Sequence, residues 1–179
     1  MIDLSVTAIG QRTLAECLAI YEELKPSLSL EFLELAIGTR CDLSLIPAHI
    51  PLIVHHRCLY EGSHKLPFSL AAKETWKGYQ ERVTSRDVRL LSIHPPLRDE
   101  IDLDDLKRNR KRLESLLGIP VCLEVMPGEK HWLSVQDFLD QASAFLDIPL
   151  LLDLSHINIW ASRKQKVTSR TNYTREKRD

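Results

Sequence analysis

Short apolar runs rich in branched residues alternate along the chain with longer stretches of helical periodicity. Runs of the first kind cover Leu4 to Ile9, Phe32 to Ile37, Pro51 to His56, Val88 to His94, Pro120 to Met126 and Pro149 to Leu154, and each reads as a strand. Between them, Thr13 to Leu24 places Leu14, Cys17, Leu18, Tyr21 and Leu24 on one helical face, and Thr13 with Glu16 forms the T-x-x-E pattern that satisfies free N–H groups at a helix start. Asp102 to Leu117 presents Leu103, Leu106, Leu113, Leu116 and Leu117, then stops at Gly118, which tolerates the left-handed conformation of a helix end. Ser134 to Phe145 aligns Val135, Phe138, Leu139, Ala142 and Phe145 at helical spacing, and a less regular helix is predicted over Ser69 to Val83.

Alternation of strand and helix is the signature of repeated βα units on a parallel sheet. Right-handed crossovers place such helices on one side of a curling sheet, which is how a barrel begins. The expected fold class is therefore α/β: an incomplete (β/α)8 TIM barrel over residues 1–160, with about six parallel strands and outer helices. A complete barrel runs to about 250 residues, and 179 residues leave no room for strands seven and eight. An open doubly wound sheet is the alternative, but no G-x-G-x-x-G or G-x-x-x-x-G-K-[ST] loop supports a nucleotide site in it.

After Trp160 the character changes. Arg163, Lys164, Lys166, Arg170, Arg175, Lys177 and Arg178 crowd a polar stretch in which Val167 and Tyr173 are almost the only large apolar residues. Residues 161–179 are accordingly expected to be a disordered basic tail, since such a stretch cannot bury a face. A nucleic-acid arm is the minority reading, and a frameshift would produce the same break in composition.

A net charge of -1 with 44% hydrophobic and 27% charged residues suits a globular domain and excludes a wholly disordered chain. The N-terminus lacks a basic segment followed by an apolar run, and no stretch approaches the roughly 20 apolar residues of a membrane span. A cytoplasmic protein without membrane contact is expected. Cys17, Cys41, Cys58 and Cys122 form no C-x-x-C pair and read as reduced, mostly buried thiols.

The chemistry gathers at strand ends, where a βα barrel keeps its active site. The third predicted strand ends in His55-His56 and the fourth in His94; the fifth carries Glu124, and the sixth Asp153 followed by His156. Imidazole and carboxylate together are ligands for zinc, iron or manganese. Successive strand residues face opposite ways, so His55 is favoured as the inward ligand, with His56 behind it or at the surface. Glu124 within Val121-Cys122-Leu123-Glu124-Val125, and Asp153 within Leu150-Leu151-Leu152-Asp153-Leu154, are carboxylates in apolar strands and need partners. Glu34 could face the same mouth or be an exposed strand carboxylate, while His49, His64 and His131 fall in expected loops and read as surface residues.

These residues resemble the xylose-isomerase-like TIM-barrel superfamily, which includes the endonuclease IV type of DNA-repair enzyme. In that resemblance His55, His94, Glu124 and the pair Asp153-x-x-His156 occupy metal-ligand positions on strands three to six. The local wording is closest to the multinuclear non-haem iron family that contains the methanobactin-biosynthesis enzyme: Phe32-Leu33-Glu34-Leu35, Pro51-Leu52-Ile53-Val54-His55, Val121-Cys122-Leu123-Glu124 and Leu151-Leu152-Asp153-Leu154-Ser155-His156-Ile157-Asn158. The resemblance spans roughly residues 1 to 160 and implies a metal-dependent enzyme, iron first with zinc or manganese as alternatives, acting on a peptide or small molecule. Members continue through strands seven and eight with further His, Asp and Glu ligands, and nothing after His156 matches those. A truncated, inactive relative is therefore also expected, as is self-association through exposed strand edges. Zinc-dependent cleavage of DNA is the alternative enzyme reading, and the near-neutral charge speaks against it.

Overall fold

The computed structural model describes residues 3–5, 13–36, 43–56 and 68–175. Six strands, β1 (Asp3–Ser5), β2 (Phe32–Ala36), β3 (Leu52–His56), β4 (Val88–Ile93), β5 (Val121–Glu124) and β6 (Leu150–Leu151), form one sheet in sequential order. Every neighbouring pair is parallel. A doubly wound sheet would reverse its order partway along, and this one does not.

The helices are α1 (Leu14–Leu28), α2 (Trp76–Val83), α3 (Leu103–Leu117), α4 (Val135–Gln141) and α5 (Leu154–Arg175). The predicted capping box closes the start of α1: the Thr13 hydroxyl accepts from the Glu16 N–H at 3.3 Å, and the Glu16 carboxylate accepts from the Thr13 N–H at 2.8 Å. This helix runs one turn beyond the expected Leu24, through Pro26, and ends where Ser29 turns left-handed at φ 52°. Gly118 ends α3 as predicted, at φ 68°. The helix expected over Ser134 to Phe145 changes after Gln141 into a 3-10 turn, Ala142–Phe145. That expected over Ser69 to Val83 forms regular α-helix from Trp76, after a 3-10 turn at Lys73–Thr75.

Alternation along the strands separates two faces. Leu33, Leu35, Leu52, Val54, Leu91, Ile93, Val121 and Leu123 join Tyr21, Tyr79, Leu106 and Leu113 of the first three helices in one continuous apolar core. Their neighbours of opposite parity, Ile53, His55, Leu90, Ser92, Cys122 and Glu124, lie outside that core on the other face. Helices thus cover one face of the sheet and the chemistry occupies the other. Polar groups of α3 fasten the start of β5: Arg110, 4% exposed, donates to the Val121 carbonyl at 3.0 Å, while Glu114 accepts from the Val121 N–H at 3.1 Å.

Several expectations change. The sixth strand shrinks from Pro149–Leu154 to two residues, because Asp153 starts a helix instead. Residues 161–179 were expected to be a disordered tail, but α5 runs unbroken across Trp160 to Arg175. The physical reason is local: neither glycine nor proline follows Pro149, and lysine, arginine and glutamine favour the helix. Residues 6–9 of the first expected strand, Ile37, Cys41, Cys58, His64, Lys177 and Arg178 lie outside the described residues. Neither Cys17, which is buried, nor Cys122, which is half-buried, is part of a disulfide. Among the described residues no helix is long and apolar enough to cross a membrane.

The turn before β6 is tied to α3 by Lys107, whose ammonium lies 2.8 Å from Asp147. That hydrogen bond holds the Asp147 carboxyl below its ordinary value of 3.8, with Lys111 adding to the effect. Since the folded-state value is the lower one, the contribution to stability is complete above pH 3.8 and disappears as pH falls through the depressed value. Carbon-detected NMR titration should place the Asp147 midpoint below 3.8, and Lys107→Met should return it toward 3.8. Equal midpoints in the two proteins would show that the tie is absent in solution.

Candidate metal centre

Parallel pairing brings the C-terminal ends of β3, β4 and β5 to one edge of the sheet, and their last residues meet there. His55 lies level with Ser92 across β3 and β4. His94 follows β4 directly and donates its backbone N–H to the His56 carbonyl at 3.0 Å, so the ladder carries it to the same level. Glu124 is the last residue of β5, 2% exposed.

The three side chains converge on a point. Nε2 of His55 and Nε2 of His94 are 3.2 Å apart, and Glu124 Oε2 lies 2.7 Å from the latter and 3.5 Å from the former. Yet Oε2 has no hydrogen-bond partner. Metal–ligand bonds of about 2.1 Å would set neighbouring donor atoms about 3.0 Å apart in an octahedral site and about 3.4 Å in a tetrahedral one. The observed separations straddle those values, and all three atoms can serve one ion. An orphaned buried carboxylate oxygen facing two imidazole nitrogens is a donor set that fits a divalent cation.

A second group shares the carboxylate. Glu124, Asp153 and His156 offer ligand atoms within 4.8 Å of one another. Oε1 of Glu124 lies 3.4 Å from Nδ1 of His156, whose Nε2 lies 3.8 Å from Asp153 Oδ2. The Val125 carbonyl, 3.0 Å from His156 Nδ1, can only accept, so Nδ1 carries the proton and Nε2 keeps the lone pair. Asp153 has two tasks: Oδ1 accepts the Ser155 N–H at 2.7 Å and caps α5, leaving Oδ2 directed toward His156. Burial pushes its carboxyl up, but the Ser155 hydrogen bonds and His156 outweigh that and hold it below the usual range.

The structure brings together all five residues singled out from the sequence, His55, His94, Glu124, Asp153 and His156. Two other expectations fall differently. His56 is neither behind His55 nor at the surface; it faces the helices, 3% exposed, edge-on to Phe68 and Tyr79 at ring separations of 4.8 and 5.2 Å. His131, expected at the surface, is 6% exposed and bonded to the Pro95 carbonyl at 2.9 Å. Burial lowers its pKa, against the opposing effect of that bond. Loop length hid this, because the segment folds back onto the strand ends, where Leu97 bridges to His131. His49 is exposed beside Glu22, as expected. Glu34 is half-buried on the site's face of the sheet, one pleat repeat below His55 through its pairing with Ile53.

Ser92 was missed. Fully buried, it places its hydroxyl 2.7 Å from His55 Nδ1 and fixes the ring so that Nε2 points at the other two donors. The available signal was a lone serine at the inward position of the apolar run Leu90-Leu91-Ser92-Ile93, level with a histidine. Ser92→Ala should weaken divalent-metal binding by about 10-fold to 100-fold while leaving the circular dichroism spectrum unchanged. Competition against a chromophoric chelator measures this, and an unchanged affinity would remove Ser92 from the site. A scan against protein-family models and a search of the curated proteins found no match to this chain.

Proposed function

We propose that the chain carries the metal-binding part of a metal-dependent enzyme of the xylose-isomerase-like barrel type, closest to the multinuclear non-haem iron family. Its six strands form an arc of such a barrel. The observation that carries this reading is Glu124 Oε2: buried, near two imidazole nitrogens, and hydrogen-bonded to neither. Sequential strand order, helices on one face and ligands at the C-terminal ends on the other face support the barrel arc.

His55, His94 and Glu124 would hold one ion, and Asp153 and His156, with Glu124 shared, a second. Such ions supply Lewis acidity and activate water or dioxygen when bound. The chain's own residues set the geometry: Ser92 orients His55, the Val125 carbonyl orients His156, and the apolar strands keep water from His55 and Glu124. Asp153, its side chain 37% exposed, is the most open of the five, so a substrate reaches the centre from its side. The ligand set favours iron, with zinc or manganese as alternatives.

Chain refolded with Fe(II) under argon, or with Zn(II) or Mn(II), should retain at least one equivalent of metal through gel filtration, as measured by elemental analysis. Glu124→Ala and His55→Ala should each lower the affinity by two orders of magnitude or more, on the order of several kcal/mol for a buried ligand. Failure to retain any of the three metals would defeat the proposal.

Self-association through the sheet edge has its own support. Among the described residues β6 is paired only with β5, and Leu146, Leu152 and Leu154 around it are 82%, 54% and 73% exposed. Exposed leucines beside an open edge favour pairing with another chain. Light scattering on the purified chain should give a mass above the 20.6 kDa monomer, reduced to one chain by Leu146→Glu with Leu154→Glu. A monomer before any substitution would exclude the edge as an interface.

A further inference from the structure

A second feature lies next to the cluster. The segment following β5 and the second turn of α5 enclose a cleft of about 730 Å³. Met126, two residues beyond Glu124, lines it on one side, and Trp160, one helical turn beyond His156, on the other. Residues four apart on a helix have side chains about 5–6 Å apart, so whatever fills the cleft sits beside the second ligand group.

Its chemistry is asymmetric. Lys130, Arg163 and Lys164 face it against one carboxylate, Glu129. Glu129 draws Lys164 to 3.5 Å, and the ammonium lies 5.8 Å from the centre of the Trp160 ring. The indole Nε1–H of Trp160 is buried with no acceptor in reach. An indole N–H is a donor only, and leaving it buried without a partner is unfavourable. The cleft thus combines an aromatic wall with a surplus of positive charge.

We infer that this cleft is a binding site for a carboxylate on an apolar or aromatic body, with Trp160 as wall and Arg163 and Lys164 as its charge partners. Bound there, the carboxylate accepts from Arg163 and Lys164, and the body of the ligand lies against the Trp160 ring. The inference rests on the proposed metal centre for its role in positioning substrate, but the binding itself needs no metal. Guanidinium and ammonium groups bind carboxylates with charge-assisted hydrogen bonds, whereas a neutral amide receives none of that charge.

The test uses N-acetylphenylalanine and its neutral primary amide as probes, titrated calorimetrically into the full chain. Metal-free chain is used first, so that coordination to an ion does not stand in for the cleft. The acid should bind about ten-fold or more tightly than the amide. Arg163→Ala and Lys164→Ala should each bring the acid toward the amide's affinity, Trp160→Ala should weaken acid and amide alike by removing the wall, and Glu129→Gln should strengthen the acid by releasing Lys164. Equal affinities for acid and amide, no heat with either at millimolar concentration, or indifference of the acid to Arg163→Ala and Lys164→Ala would each overturn the inference. Discrimination that persists in a chain retaining no metal would uphold the cleft and defeat the metal centre, while metal retention without discrimination would do the reverse.

Discussion

A carboxylate at the end of an apolar strand, closed off from water, must be compensated by positive charge or by hydrogen bonds. At Glu124 the structure provides neither in full: imidazole nitrogens crowd its oxygens at 2.7, 3.4 and 3.5 Å, and Oε2 remains without a hydrogen bond. Everything around it is arranged to hold that geometry. Ser92 turns His55 toward it, the ladder from β3 delivers His94, and the Val125 carbonyl orients His156. A site of this kind is costly while empty and gains most from a cation, which is why the metal reading follows from packing and not from ligand identity alone.

The fold serves this constraint by dividing its labour between two faces. Leucine, valine and isoleucine side chains of one strand parity bury against the first three helices and make the core. Residues of the other parity are free to carry chemistry, since they are not needed for that burial. Parallel pairing then does the rest, because it puts the ends of consecutive strands on one edge, where residues separated by thirty or more positions in sequence come within bonding distance. The carboxylate-binding cleft extends the same edge outward, formed where α5 leaves the sheet and the segment after β5 folds back.

Much of this was legible in the chain. Strand and helix alternation marked the six strands, Thr13 with Glu16 and Gly118 marked helix ends, and the recurrence of His or Asp/Glu at strand ends marked the five clustered residues. Less legible were positions whose role depends on a distant partner. His131 read as a surface residue in a loop because nothing local reveals its hydrogen bond to the Pro95 carbonyl. His56 read as a companion of His55, while its environment is set by Phe68 and Tyr79 on another segment. The basic stretch after Trp160 read as disordered from its charge, yet its local preference for helix carries α5 on to Arg175.

Periodicity and spacing determine which side chains share a face, since they depend only on backbone geometry that every residue obeys. They therefore established the parallel α/β architecture, the capped helix ends and the candidate ligands. Tertiary structure alone decided that His55, His94 and Glu124 meet at a single point, that Ser92 sets one ring, and that Asp153 spends one oxygen capping α5 and keeps the other for the site. Such outcomes depend on angles and distances between segments far apart in the chain. No one-dimensional pattern contains them, because a change of one hydrogen-bond register would scatter the same residues without altering a letter of the sequence.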